Sequence, residues 1–65
     1  MSNTLRERRI AKNLKQRELA ELTGVTLKAI QAYEQGYRSL GGASAEVVLK
    51  IAKALDTTVE ELLSE

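Results

Sequence analysis

The sequence predicts an all-α bundle of five short helices. Three observations lead there. Apolar residues recur at i, i+3, i+4 and i+7 rather than at alternate positions. Glycines and small polar residues interrupt that pattern every ten residues or so, and no run of β-branched and aromatic alternation marks a strand. Helices of this length do not stand alone in water, so their mutual packing must hold them.

The elements follow in order. Thr4-x-x-Glu7 reads as a capping box opening the first helix, which is expected to run to about Asn13 with Leu14 packing just beyond it. Gln16 to Thr23 forms the second, carrying Leu19, Ala20 and Leu22 on one side. Gly24-Val25-Thr26 breaks the pattern, and Leu27 to Gln35 resumes it with Ile30, Tyr33 and Glu34 inward, until Gly36 ends the third helix. Gln35 to Ala43 is the longest irregular stretch, with Gly36, Gly41 and Gly42 as breakers. Ser44 caps a fourth helix with Val48, Ile51, Ala52 and Leu55 on its buried stripe. Thr58-x-x-Glu61 is a second capping box, opening a last helix with Val59, Leu62 and Leu63 inward.

Composition narrows the class. The 65 residues are expected to make one domain, 1–65, near the lower size limit for an unassisted core. The chain has no cysteine, histidine, phenylalanine or tryptophan, so aliphatic side chains must build that core, with neither disulfide nor thiolate or imidazole metal site to supplement it. No apolar run approaches the roughly 18 residues that span a bilayer, and no signal-peptide pattern opens the chain. A cytoplasmic protein with no membrane partner is expected. The net charge of +1 divides unevenly: residues up to Arg38 carry eight cations and four anions, and those from Ser39 carry two and five, hence +4 against −3. A basic half suits a polyanion and an acidic half avoids one.

Two helices joined by a three-residue turn containing glycine make a helix-turn-helix, whose second helix enters the major groove of DNA. At about 100° per residue, Lys28, Gln31 and Gln35 share the outer face of the third helix, with Ala32 beside them and Leu27 at the edge. Lys28 can donate to guanine O6 and N7, and Gln31 can pair with both edge groups of adenine. Leu27 suits a thymine methyl or a partly buried core position equally well. Gln16 opens the second helix, where free N–H groups and the positive dipole end favour a phosphate. Arg17, Thr26 and Gln35 are further phosphate candidates, whereas Arg6, Arg8 and Lys12 read as solvated charges.

Two charges occupy inward positions. Arg9 lies four residues after Leu5, and Glu34 four after Ile30. Burying either ion alone is too costly, which predicts an Arg9–Glu34 ion pair between the first and third helices.

Leu5-Arg-Glu-Arg-Arg9, Gln16-x-Glu18-Leu19-Ala20, Gly24-Val25-Thr26, Ile30-x-x-Tyr33-Glu34-x-Gly36, Leu49-x-x-Ala52-x-Ala54-Leu55 and Val59-x-x-Leu62-Leu63 occur in one order. Together they resemble the phage repressor/Cro-type (XRE-like) DNA-binding domain over almost the whole chain. The resemblance implies a compact five-helix repressor-like fold that binds double-stranded operator DNA as a transcriptional regulator, often as a homodimer. It also implies that an arginine late in the first helix pairs with the glutamate matching Glu34. The Gln16 side chain would bond the DNA backbone, and Tyr37 and Arg38, just past the groove-facing helix, would touch phosphates. The chain departs from the pattern at Lys15, where a serine, threonine or asparagine usually caps the second helix and where the lysine can instead reach a phosphate, and at Asp56, where glycine usually follows the fourth. The loop Gln35 to Ala43 is also longer than in the phage repressors.

No enzyme is expected, because the carboxylates are dispersed and no glycine-rich phosphate loop is present. Neither a cofactor nor a small-molecule ligand is expected. The alternative is an antitoxin-like or adaptor domain whose main partner is a protein, for which an exposed apolar patch at Leu40, Val47 or Leu62-Leu63 would speak.

Overall fold

Helix boundaries in this chain fall where backbone groups find partners outside the regular ladder. A computed structural model describes residues 4–64, and every regular element among them is helical. Helices α1 (Thr4–Ala11), α2 (Gln16–Thr23), α3 (Leu27–Gln35), α4 (Ala45–Ala54) and α5 (Val59–Leu63) follow in order, with a 3-10 turn at Leu40–Gly42.

Three helix starts use a hydroxyl. Thr26 Oγ1 accepts the Ala29 N–H at 3.1 Å, Ser44 Oγ that of Val47 at 3.2 Å, and Thr58 Oγ1 that of Glu61 at 3.1 Å. Each satisfies one of the free donors at a helix N-terminus. At α2 the capping position is Lys15, which has no acceptor to offer. The compensation is partial: the Glu18 carboxylate accepts the Lys15 backbone N–H at 2.8 Å.

The four longer helices all end on a left-handed residue. Asn13, Gly24, Gly36 and Asp56 have φ of 57°, 72°, 83° and 56°. At Gly24 a single bond to the Ala20 carbonyl closes α2. The other three show paired closing bonds, as in Tyr37 N–H to Ala32 O at 3.0 Å with Gly36 N–H to Tyr33 O at 3.4 Å. Around Asp56 the equivalents are Thr57 N–H to Ala52 O at 2.9 Å and Asp56 N–H to Lys53 O at 3.2 Å. Asp and Asn tolerate this backbone less well than glycine, so two of the four turns carry strain.

Every helix contributes to one core. Leu5, Leu19, Ile30, Tyr33, Val48, Ile51, Ala52, Leu55 and Leu62 are buried together, and Leu14, Val25, Val47 and Val59 pack against them. Burial of each aliphatic side chain supplies about 1.5–3 kcal/mol. Helix α2 packs on α3 and α4, α4 on α5, and α1 on α3 and α5. The chain ends of this bundle are tied as well: the Thr4 hydroxyl donates to the Ser64 carbonyl at 2.9 Å, and Arg8 Nη2 lies 3.6 Å from Glu61 Oε2.

Five expectations need correction. The first helix stops at Ala11, because Asn13 turns left-handed and its N–H returns to Ile10 O at 2.9 Å. Thr4 already lies within that helix, and its hydroxyl serves Ser64 rather than a capping box with Glu7. Leu22 is 64% exposed, and Thr23 is buried in its place, its hydroxyl donating to Leu19 O at 2.8 Å. Leu63 is exposed, whereas Leu62 is buried. The stretch from Gln35 to Ala43 is not wholly irregular, since Leu40–Gly42 forms the 3-10 turn.

Candidate nucleic-acid interface

The turn between α2 and α3 is set by three consecutive residues. Gly24 takes the left-handed conformation that closes α2, the Val25 N–H binds Thr23 Oγ1 at 3.2 Å, and Thr26 caps α3. Val25 also packs against the core, so the turn is held from inside. The turn is thereby held by the Gly24 backbone bond, by two threonine hydroxyls and by Val25 packed on the core.

Beneath α3 lies a polar junction of three helices. Arg9 Nε donates to Glu34 Oε2 at 2.6 Å and Nη2 to Oε1 at 3.0 Å, a two-pronged fork. Arg9 Nη1 donates to the Leu14 carbonyl at 2.7 Å. Gln16 Nε2 donates to Glu34 Oε1 at 3.1 Å, bringing α2 into the same cluster. The side chains of Arg9 and Glu34 are 11% and 2% exposed, so both ions are desolvated and both are paired. The inner face of α3 is therefore pinned to α1 and α2 by Glu34, and to the apolar core by Ile30 and Tyr33.

What remains of α3 faces outward. Leu27, Lys28, Gln31 and Gln35 are exposed, and Ala32 is half-buried between them. Leu27 is 37% exposed. The face offers one cation, two amides that donate and accept, and one aliphatic group, on a rod whose remaining sides are occupied.

The flanking residues are distributed around that rod. Arg17 and Thr26 are exposed on α2 and at the start of α3. The Thr26 hydroxyl oxygen is engaged as a cap acceptor, which leaves its proton for a second partner. Past the end of α3, Tyr37 is 82% exposed, and the Arg38 guanidinium lies over the Tyr33 ring at 5.1 Å from its centroid. That stacking holds the Arg38 stem close to α3 while its edge stays exposed.

Arg6, which sequence reasoning left aside, joins this surface together with Lys15. A recess of about 450 Å³ is lined by Arg6, Lys15, Gln16 and Gln35, with Arg9 and Glu34 also on its wall. Arg6 was read as a solvated charge, and Lys15 as a missing cap able to reach a phosphate instead. The only sequence signal for Arg6 is its spacing three residues before Arg9. Of the other two charges read as solvated, Arg8 is half-buried beside Glu61, and Lys12 Nζ lies 3.5 Å from Asp56.

Among the described residues, no group of three or more His, Cys, Asp or Glu could hold a metal ion, and no helix is long and apolar enough to cross a membrane. The site is a surface of donors, acceptors and cations. A family model described as helix-turn-helix matches residues 5–62, nearly the whole chain. No curated protein and no solved structure matches it. With two helices around a three-residue turn, and that family match from Leu5 to Leu62, the chain belongs to the XRE-type helix-turn-helix family of DNA-binding regulators.

Proposed function

We propose that this chain binds operator DNA sequence-specifically with α3 in the major groove, as two copies on a palindromic site. Lys28 and Gln31 face base edges, donating to guanine and pairing with adenine respectively, and Leu27 packs on a thymine methyl. Gln16, Arg17, Thr26, Gln35, Tyr37 and Arg38 hold phosphates on either side and set the rod's orientation. Gln16 suits that task because its amide has two N–H groups. One is given to Glu34, which leaves the other for a phosphate oxygen. The buried fork at Glu34 thereby orients a phosphate contact as well as α3.

The observation that carries this reading is the division of α3 into two faces. Ile30, Tyr33 and Glu34 are buried and bonded, while Lys28, Gln31 and Gln35 are exposed. That outer face is held in place from beneath by the Glu34 cluster and follows directly on the turn from α2. Two copies related by a two-fold axis meet half-sites about 34–36 Å apart, one turn of DNA.

Selection of bound duplexes from a random pool at several salt concentrations tests the proposal. The expected result is an enriched motif whose affinity falls linearly with the logarithm of salt concentration. Recovery of no motif at low salt from folded protein would refute it.

A further inference from the structure

Next to the DNA-facing surface, α1, α3, α5 and the Leu40–Gly42 turn border a cavity that the proposed groove contacts leave unused. It measures about 290 Å³, and Leu5, Leu40 and Leu62 lie on its wall together with Tyr33, Arg38 and Ser39. Leu5, Tyr33 and Leu62 are buried and Leu40 is half-buried, so one side of the wall is apolar. The wall is drawn from residues 5, 33–41 and 62–63, and no local spacing announces it.

Two polar side chains stand at this cavity with donors to spare. The Arg38 guanidinium stacks on the Tyr33 ring, 5.1 Å from its centroid, which holds it beside the cavity. Arg38 makes no ion pair among the described residues. The Ser39 hydroxyl makes no cap bond at the turn that follows it. A Cβ on Gly41 would stand 3.5 Å from that oxygen, so the hydroxyl lies against another residue of the wall.

We propose that this cavity binds a small amphipathic carboxylate. Its head takes the Arg38 fork and the Ser39 hydroxyl, and its apolar body lies against Leu5, Leu40 and Leu62. Occupancy weakens DNA binding, because the same guanidinium serves as a phosphate contact. That second half rests on the reading of Arg38 as a flank of the groove-entering helix.

The chemistry of the wall selects this class. A guanidinium matches a carboxylate with two parallel bonds, and a serine hydroxyl adds a third donor. A fully hydrated inorganic anion gains nothing from three leucines, whereas an alkyl or phenyl body gains in proportion to the area it buries. The volume lies at the lower limit of small-molecule sites, about 300 Å³, so the body is short. Once bound, the carboxylate neutralises Arg38 and sets a negative charge beside the path of the DNA backbone. By linkage, DNA lowers the affinity for the carboxylate by the same factor.

The test uses the full chain, with phenylacetate as the probe and phenylacetamide and acetate as controls. Without DNA, backbone amide shifts in proton–nitrogen correlation spectra follow each titration. Phenylacetate is expected to bind in the millimolar range, with shifts concentrated at Leu5, Gly36 to Gly41, and Leu62 to Leu63. Phenylacetamide, which lacks the charge, and acetate, which lacks the body, should each bind about tenfold more weakly. Arg38→Gln should weaken phenylacetate binding about tenfold and Ser39→Ala about threefold, with circular dichroism melting to establish that both variants are folded.

Fluorescence anisotropy with a selected duplex then follows DNA affinity, at an ionic strength held constant with sodium chloride. Phenylacetate near saturation should raise the DNA dissociation constant about fivefold, and acetate at the same concentration should not. Ser39→Ala should bind DNA as the parent does and need about threefold more phenylacetate for the same effect. Shifts that are absent, that fall outside the cavity, or that persist unchanged in Arg38→Gln would overturn the proposal. So would equal binding of the acid and its amide, which would leave an apolar cavity without an anion site. Phenylacetate binding in the cavity with DNA affinity unaltered refutes the coupling alone. Binding in the cavity by a folded chain that selects no DNA motif refutes the reading of α3 alone.

Discussion

Removing the Glu34 carboxylate should destabilise the fold far more than removing any surface charge. Glu34→Ala takes away both prongs of the Arg9 fork, at 2.6 and 3.0 Å, and the Gln16 bond at 3.1 Å. It leaves the guanidinium of Arg9, whose side chain is 11% exposed in the intact pair, with the Leu14 carbonyl as its remaining contact in the junction. Breaking one side of a buried pair costs about 3–5 kcal/mol. Water can reach the Arg9 edge, which places the expected loss at the lower end, about 3 kcal/mol. For a domain of this size each kcal/mol moves Tm by roughly 4–8 °C, so the melting temperature should fall by roughly 12–24 °C. Far-UV circular dichroism melting measures this, with the exposed Glu7→Ala expected to stay within about 0.5 kcal/mol of the parent. Replacing both ions, Arg9→Met with Glu34→Leu, should recover most of the loss, because no unpaired charge is left buried. Equal and small effects of Glu34→Ala and Glu7→Ala would refute the reasoning. A double replacement as unstable as the single one would also count against it.

Three further substitutions probe other parts of the account. Asp56→Gly relieves a left-handed non-glycine turn at φ 56° and gives up only an exposed contact with Lys12 at 3.5 Å, so it should raise stability by about 0.5 kcal/mol in the same melting assay. Lys15→Ser supplies α2 with the acceptor it lacks and should stabilise the free protein by about 1 kcal/mol in denaturant titration. Arg38→Ala should weaken binding to all duplexes alike and reduce the slope of log affinity against log salt by about 1, measured by fluorescence anisotropy across a salt series.

The sequence made the fold class and the helix order legible because the residues that decide them act locally. Gly24, Gly36, Ser44 and Thr58 announce turns and caps through their own backbone or hydroxyl chemistry. The stripe Val48, Ile51, Ala52 and Leu55 leaves one direction for burial on α4, and all four residues are buried. The inward positions of Arg9 and Glu34 could be paired by reasoning because an isolated buried ion is so costly. Leu22 misled for a geometric reason. It lies about 60° to one side of Leu19 and Thr23 about 40° to the other. Which side is covered depends on where α3 and α4 pack, and that is a tertiary property. Thr23 also hides its polarity by bonding back to its own helix, so its composition gave no warning of burial. The same holds for Leu62 and Leu63, adjacent on a helix one turn long.

The outer face of α3 could be drawn from periodicity alone. The hold that Glu34 has on Gln16 could not, because it joins residues 18 positions apart through a side-chain amide. Nor could the placement of Arg6 beside Lys15 and Gln35 at one recess. Sequence spacing relates residues within a helix, whereas these contacts depend on how helices cross.

The central claim is that the exposed side of α3 reads bases. Its most direct test is the affinity of Lys28→Ala for a selected duplex and for duplexes altered one base pair at a time, at constant salt. The account predicts a loss of about 1–3 kcal/mol together with relaxed discrimination at one position of the site, the fold being unchanged. Unaltered affinity and unaltered preference in the folded variant would contradict it.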